Sequence, residues 1–107
     1  MNYDELEPIY VAKNWRESGL ECALATVINT WGSSPRPIGS QMVINSLGKF
    51  SGSVSGGCIE TSVVSEAIEV IKSKKSKTIE YNVTNKDAWG VGLTCGGRVN
   101  IYLEPIE

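Results

Sequence analysis

Cys22-Ala23-Leu24-Ala25-Thr26-Val27-Ile28 is a run of apolar residues broken only by one threonine. A strand with one wet face alternates apolar and polar residues, because successive side chains point to opposite faces. A run without that alternation suits a strand buried on both faces, between two covering layers. The segments around it supply those layers. Residues 4–18 read as a helix, with Asp4 and Glu7 as a capping-box-like pair and Leu6, Ile9, Tyr10 and Trp15 as its apolar stripe. Pro8 falls in its first turn and Gly19 ends it. Residues 59–74 read as a second helix, with Ile59, Val63, Ala67, Ile68 and Ile71 on one face and Lys72, Lys74 and Lys75 complementing the dipole of its last turn.

Four further strands complete the pattern. They are Gln41–Asn45, Phe50–Ser53, Thr78–Thr84 (alternating Ile79, Tyr81 and Val83) and Arg98–Leu103 (alternating Val99, Ile101 and Leu103), with Pro105 expected to stop the last. The fold class is therefore α/β in the mixed α+β sense. One compact domain over 1–107 is expected, in the order α-β-β-β-α-β-β, with a mixed sheet packed by two helices. At 107 residues the chain suffices for one core.

Composition narrows the chemistry. The chain is 41% hydrophobic and 21% charged, with a formal net charge of −2 and no long basic run. That balance argues against a binder that works by neutralising nucleic-acid phosphates. The acidic start Met1-Asn2-Tyr3-Asp4-Glu5 is unlike a signal peptide, and no apolar run reaches membrane-spanning length. Three irregularly spaced cysteines leave one over from any pairing, so reduced thiols in the cytoplasm are expected. There is no histidine. Ser–His and Cys–His catalysis and histidine-based metal sites are excluded together, and no C-x-x-C spacing suggests structural zinc.

Chemistry must then run on thiols, carboxylates, arginine, lysine or backbone N–H groups. Two glycine turns carry cysteines: Val54-Ser55-Gly56-Gly57-Cys58 and Leu93-Thr94-Cys95-Gly96-Gly97. The first precedes a helix, whose open N–H groups and partial positive charge favour an anion and a thiolate. Gly56 and Gly57 let a ligand approach the backbone closely, as do Gly96 and Gly97 in the second turn. Cys58 is the leading candidate thiol, with Cys95 beside it; the bland alternatives are a small residue tucked inward and a turn that only redirects the chain. Cys22 belongs to the core. Arg36, held between Pro35 and Pro37, can grip an anion with its planar fork, as can Arg98; each is otherwise a solvated arginine. Glu60 is a candidate proton acceptor near Cys58, and Asp87 a weaker one. Trp31 and Trp89 could stack on a flat heterocycle, although packing beneath a loop is the plainer reading. The Gly52–Gly57 stretch does not match the G-x-G-x-x-G dinucleotide fingerprint.

Three blocks in order carry a family resemblance: Gly32-Ser33-Ser34-Pro35-Arg36-Pro37-Ile38-Gly39 after Ala25-Thr26-Val27, Gly52-Ser53-Val54-Ser55-Gly56-Gly57-Cys58-Ile59-Glu60, and Trp89-Gly90 with Leu93-Thr94-Cys95-Gly96-Gly97-Arg98-Val99. Together they resemble the amino-terminal domain of the XdhC/CoxI family, accessory proteins of xanthine dehydrogenase and related molybdenum hydroxylases. The resemblance implies a carrier and chaperone rather than a catalyst of turnover. Such a protein binds the molybdenum cofactor transiently, assists its sulfuration and delivers it to the enzyme. Implied partners are a xanthine dehydrogenase-type molybdenum hydroxylase and a cysteine desulfurase; the sequence leaves a homodimer open. Implied cofactor-binding positions are Ser34, Arg36, Gly56, Gly57, Cys58, Cys95, Gly96, Gly97 and Arg98, with Cys58 and Cys95 as molybdenum ligands. Long members carry a second, Rossmann-like domain, and none is expected within 1–107. Two rival readings remain. One is a thiol-based sulfur transferase or redox protein using Cys58 and Cys95. The other is a docking scaffold with structural cysteines.

Overall fold

The computed structural model describes residues 7–31, 37–54, 59–83 and 97–106. Its elements follow the expected order: α1 (Pro8–Glu17), β1 (Cys22–Trp31), β2 (Gln41–Asn45), β3 (Phe50–Gly52), α2 (Glu60–Ser73), β4 (Lys77–Val83) and β5 (Gly97–Ile106). The five strands form one sheet in the spatial order β3-β2-β1-β5-β4.

β1 is buried on both faces, as its composition requires. Ala23, Ala25 and Val27 join Met42, Ile44, Val99, Ile101 and Leu103 beneath Val63, Ala67, Val70 and Ile71 of α2. Cys22, Leu24 and Val43 point the other way, against Val11, Ala12 and Trp15 of α1. Each large aliphatic side chain buried this way contributes roughly 1.5–3 kcal/mol. A register shift between Val27 and Asn29 interrupts the β1–β5 ladder, and Ile28 beside it is exposed.

Every strand pairing is antiparallel, which corrects the expected mixed sheet. The reason is topological. A helix between two strands yields a parallel pair only if those strands become neighbours. Here α2 leaves β3 at one edge of the sheet and delivers the chain to β4 at the other. β5 then returns between β4 and β1.

Three local expectations also change. α1 begins at Pro8, with Glu7 as an N-cap that makes no side-chain capping bond; Asp4 lies outside the described residues. Proline disfavours helical geometry in the residue before it, and Glu7 is extended at φ −65°, ψ 143°. The buried stripe of α1 is Val11, Ala12 and Trp15, while Ile9 and Tyr10 face outward. β5 runs through Pro105, which lies opposite Ala23. β4 reaches only as far as Leu103, so Pro105 has a neighbouring strand on one side only, where proline is tolerated.

Candidate functional site

The antiparallel order brings particular strand ends together. β1 and β5 meet where Trp31 pairs with Arg98, and β4 meets β5 where Val83 pairs with Gly97. β2 starts at Gln41 opposite Thr26, and β3 ends at Gly52 opposite Met42. The C-terminal ends of β1, β3 and β4 and the N-terminal ends of β2, β5 and α2 therefore share one end of the sheet. Both attachment points of each stretch carrying a sequence motif, 32–36, 55–58 and 84–96, lie there. The candidate residues Ser34, Arg36, Gly56, Gly57, Cys58, Cys95 and Gly96, with Asp87 and Trp89, lie outside the described residues.

Gly97 opens β5, and Arg98 follows it. The Arg98 guanidinium stands 3.8 Å from Glu80 Oε1 on the adjacent strand, with both side chains about half exposed. An ion pair this open contributes little to stability, about 0–1 kcal/mol. Cys22, the core thiol, is 1% exposed. Burial pushes its pKa up, which Arg16 opposes. It is a packed neutral group and not a nucleophile.

Glu60 occupies a different position from that of a free proton acceptor. It is the first residue of α2 and is only 7% exposed. Its Oε2 accepts hydrogen bonds from Ser53 Oγ at 2.9 Å and from the Val54 backbone N–H at 3.0 Å. Two donors from the strand side thus converge on one carboxylate oxygen from the helix side. Charge-assisted bonds of this kind are the stronger class, and a buried carboxylate needs such partners. The first-turn acid also complements the positive end of α2.

Gly52, just before this clamp, has φ +92°. A Cβ there would lie 2.3 Å from the Gln41 carbonyl oxygen and 2.8 Å from Pro8 Cγ. The backbone of β3 is pressed against β2 and the start of α1, and only glycine fits. Alongside runs a notch of about 350 Å³ whose walls include Pro8, Ile9, Ser40, Gly52 and Ser53. Ser40 is 8% exposed, and its Oγ has no hydrogen-bond partner among the described residues. Sequence reasoning missed Ser40, Gly52 and Ser53 as individuals. For Ser53 a signal was present, a hydroxyl seven residues before a first-turn glutamate across a glycine turn.

Among the described residues no group of three or more His, Cys, Asp or Glu side chains could hold a metal ion. No helix among them is long and apolar enough to cross a membrane.

Comparison with known proteins agrees with the motifs. The chain is 34% identical over 90 residues to the molybdenum cofactor insertion chaperone PaoD of Escherichia coli (strain K12), covering 84% of this chain and 28% of that protein. It is 32% identical over 88 residues to a probable xanthine dehydrogenase subunit of Bacillus subtilis (strain 168), covering 80% and 27% respectively. A crystal structure described as a xanthine dehydrogenase from Bacillus halodurans superposes with a TM-score of 0.80 at 30% identity, covering 95% of this chain and 31% of that one. The chain thus spans less than a third of the length of these relatives. The model of the XdhC and CoxI family matches residues 15–82, more than half of the sequence, and the chain belongs to that family.

Proposed function

We propose that this domain binds the molybdenum cofactor and serves in its insertion into a xanthine dehydrogenase-type molybdenum hydroxylase. The observation that supports the reading is that the described chain ends flanking all three motif stretches lie at one end of the sheet, in a chain related to a molybdenum cofactor insertion chaperone. The described residues there suit an anionic, oxygen-rich ligand. Arg98 offers a half-exposed guanidinium, and Ser40 offers a buried hydroxyl that no described residue engages.

In this reading Arg36 and Arg98 grip the phosphate and oxo groups by charge-assisted hydrogen bonds, with Ser34 beside them. Backbone N–H groups of Gly56, Gly57, Gly96 and Gly97 complete the anion site. Cys58 and Cys95 supply soft thiolates for the metal. The bound cofactor would bring the metal centre at which a terminal sulfur is installed, with a cysteine desulfurase as its source. The domain's own part is to hold and shield it.

The test is purification from a cofactor-producing host, followed by molybdenum analysis and pterin fluorescence after oxidation. Molybdenum and pterin should co-purify in equal amounts. Arg36→Ala should lower affinity on the order of tenfold to a hundredfold, the worth of one charged hydrogen bond at about 1.5–3 kcal/mol, with an unchanged melting temperature. Cys58→Ser should lose bound molybdenum. Absence of both molybdenum and pterin from the wild-type protein would overturn the reading and favour the thiol-transfer or scaffold alternatives.

A further inference from the structure

We propose that the notch beside Gly52 receives the amino-oxopyrimidine edge of a pterin, with Glu7 and Ser40 as the residues that recognise it. This rests on the reading of the domain as a binder of the molybdenum cofactor, and gives the heterocyclic part of that cofactor its place. The notch, about 350 Å³, lies where β2 begins and β3 ends. That is the end of the sheet to which the motif stretches attach. The start of α1 forms one side of it through Glu7 and Pro8.

Two polar side chains on its walls are already engaged. Gln41 Nε2 donates to Thr26 Oγ1 at 3.4 Å, and Ser53 Oγ donates to Glu60 Oε2 at 2.9 Å. Ser40 differs from both. It is 8% exposed, and its Oγ has no partner among the described residues. A buried hydroxyl left unpaired costs stability, and a ligand that bonds it recovers that cost. The start of α1 is open as well. Glu7, its N-cap, makes no side-chain capping bond. Pro8 has no N–H, and the Tyr10 and Val11 N–H groups both donate to the Glu7 carbonyl. Among the described residues this leaves the Ile9 N–H as the open donor of the first turn.

Charge selects the ligand. Glu7 is the charged residue among those lining the notch, and no lysine or arginine stands beside it there. A free phosphate would gain the positive helix start but would face that carboxylate. A neutral ring edge that carries N–H donors next to a carbonyl oxygen suits both groups. In a pterin the exocyclic amino group and the adjacent ring N–H offer two parallel donors to the Glu7 carboxylate. The neighbouring carbonyl oxygen then accepts from Ser40 Oγ and Ile9 N–H. The walls suit a flat ring. Gly52 and Gly39 carry no side chain, Pro8 is rigid, and nothing lies within 4 Å of a Cβ built on Gly39. The anionic groups of the cofactor are left to the arginines. Guanine shares the same edge, so the source of the ring is decided by what the protein carries.

The experiment is calorimetric titration of the full chain with hydroxymethylpterin, and with lumazine and inorganic phosphate as comparison ligands. The variants are Glu7→Gln and Ser40→Ala. Pterin should bind. Lumazine, which places an oxo group against the Glu7 carboxylate in place of the amino group, should not, and phosphate should not displace pterin. Glu7→Gln should weaken pterin binding about tenfold, and Ser40→Ala roughly twofold to tenfold. Glu7 is exposed, so Glu7→Gln should melt as the wild type does. Ser40→Ala should melt at the same temperature or higher, because it removes a buried hydroxyl that no described residue bonds. Equal pterin affinity in the wild type and both variants, lumazine binding as tight as pterin, or displacement by phosphate would overturn the proposal. So would a lowered melting temperature in Ser40→Ala, which would make that hydroxyl a structural one. The ligand released from purified wild-type protein should be a pterin by chromatography, and a guanine nucleotide in its place would overturn the assignment. Failure of the cofactor reading is seen separately. Molybdenum that co-purifies while both variants keep wild-type pterin affinity would leave that reading intact and remove the notch alone. Wild-type protein without molybdenum or pterin, whose variants still lose affinity for added pterin, would overturn that reading alone.

Discussion

Among the glycines of this chain, Gly52 and Gly39 share a left-handed backbone but not its consequences. Gly39 has φ +93° with nothing within 4 Å of a Cβ built on it. Gly52 has φ +92° with the Gln41 carbonyl oxygen only 2.3 Å from such a Cβ. Gly39→Ala should therefore cost only the backbone term, about 1–2 kcal/mol. Gly52→Ala adds a clash with main chain that cannot rotate away, and should cost more than about 3 kcal/mol. Urea denaturation of the two variants would check this, and equal losses would refute the close approach drawn at β3. The two glycines look alike in sequence. What separates them is the arrival of Pro8 and Gln41 from other elements, which no local pattern encodes.

For the elements, the sharpest contrast is on α1. Trp15 is 7% exposed and packs with Val11 and Ala12 against Cys22, Leu24 and Val43. Tyr10 is 60% exposed. Trp15→Ala should cost about 3–5 kcal/mol, and Tyr10→Ala should stay within about 0.5 kcal/mol. A comparable loss in both would restore Tyr10 to the buried stripe. Ile9 and Tyr10 are apolar by type, but the face that α1 turns to the sheet is that of Val11, Ala12 and Trp15. Long periodic segments such as α2, β1 and β5 were legible because their burial is written into 10–14 consecutive residues. Strand order was not. Antiparallel closure depends on α2 crossing from edge to edge, and hydrophobic period is the same whichever edge a helix reaches. The candidate site was read from composition, glycine, cysteine and arginine in three blocks; most of its residues lie outside the described ones, and the fold adds that the chain ends flanking all three blocks lie at one end of the sheet. The Glu60 bridge was half legible. The residue was singled out, but its partners Ser53 and Val54 emerged only from the fold.

Across the whole molecule, two weakly acidic groups, one buried and one partly buried, give stability an alkaline limit. Burial raises the Cys22 thiol, and burial raises the Tyr81 hydroxyl against the opposing hydrogen bond with Ser62. In each case the folded pKa lies above the unfolded one, near 8.5 for cysteine and 10 for tyrosine. Their contribution is fully present below those values and is lost as pH rises through the folded pKa, because the unfolded chain ionises first. Urea midpoints should fall from about pH 8.5 upward. Cys22→Ala should flatten the first part of that decline and Tyr81→Phe the part above about pH 10. A decline unaltered in both variants would mean that neither group is buried in its neutral form.

The central position of β5 also bears on how the domain comes into being on the ribosome. β1 finds its partner not in the next strand alone but in residues 98–106, so that Cys22 ends beside Ile106. Pairings this distant in sequence close slowly, because the loop must be gathered before any contact repays it. Until residue 106 has emerged from the exit tunnel, β1 and β4 each lack the strand that lies between them, and the end of the sheet that carries the motif stretches is not assembled. Under the proposed function, cofactor loading follows the synthesis of β5: a nascent chain halted before β5 lacks the frame to which the motif stretches attach.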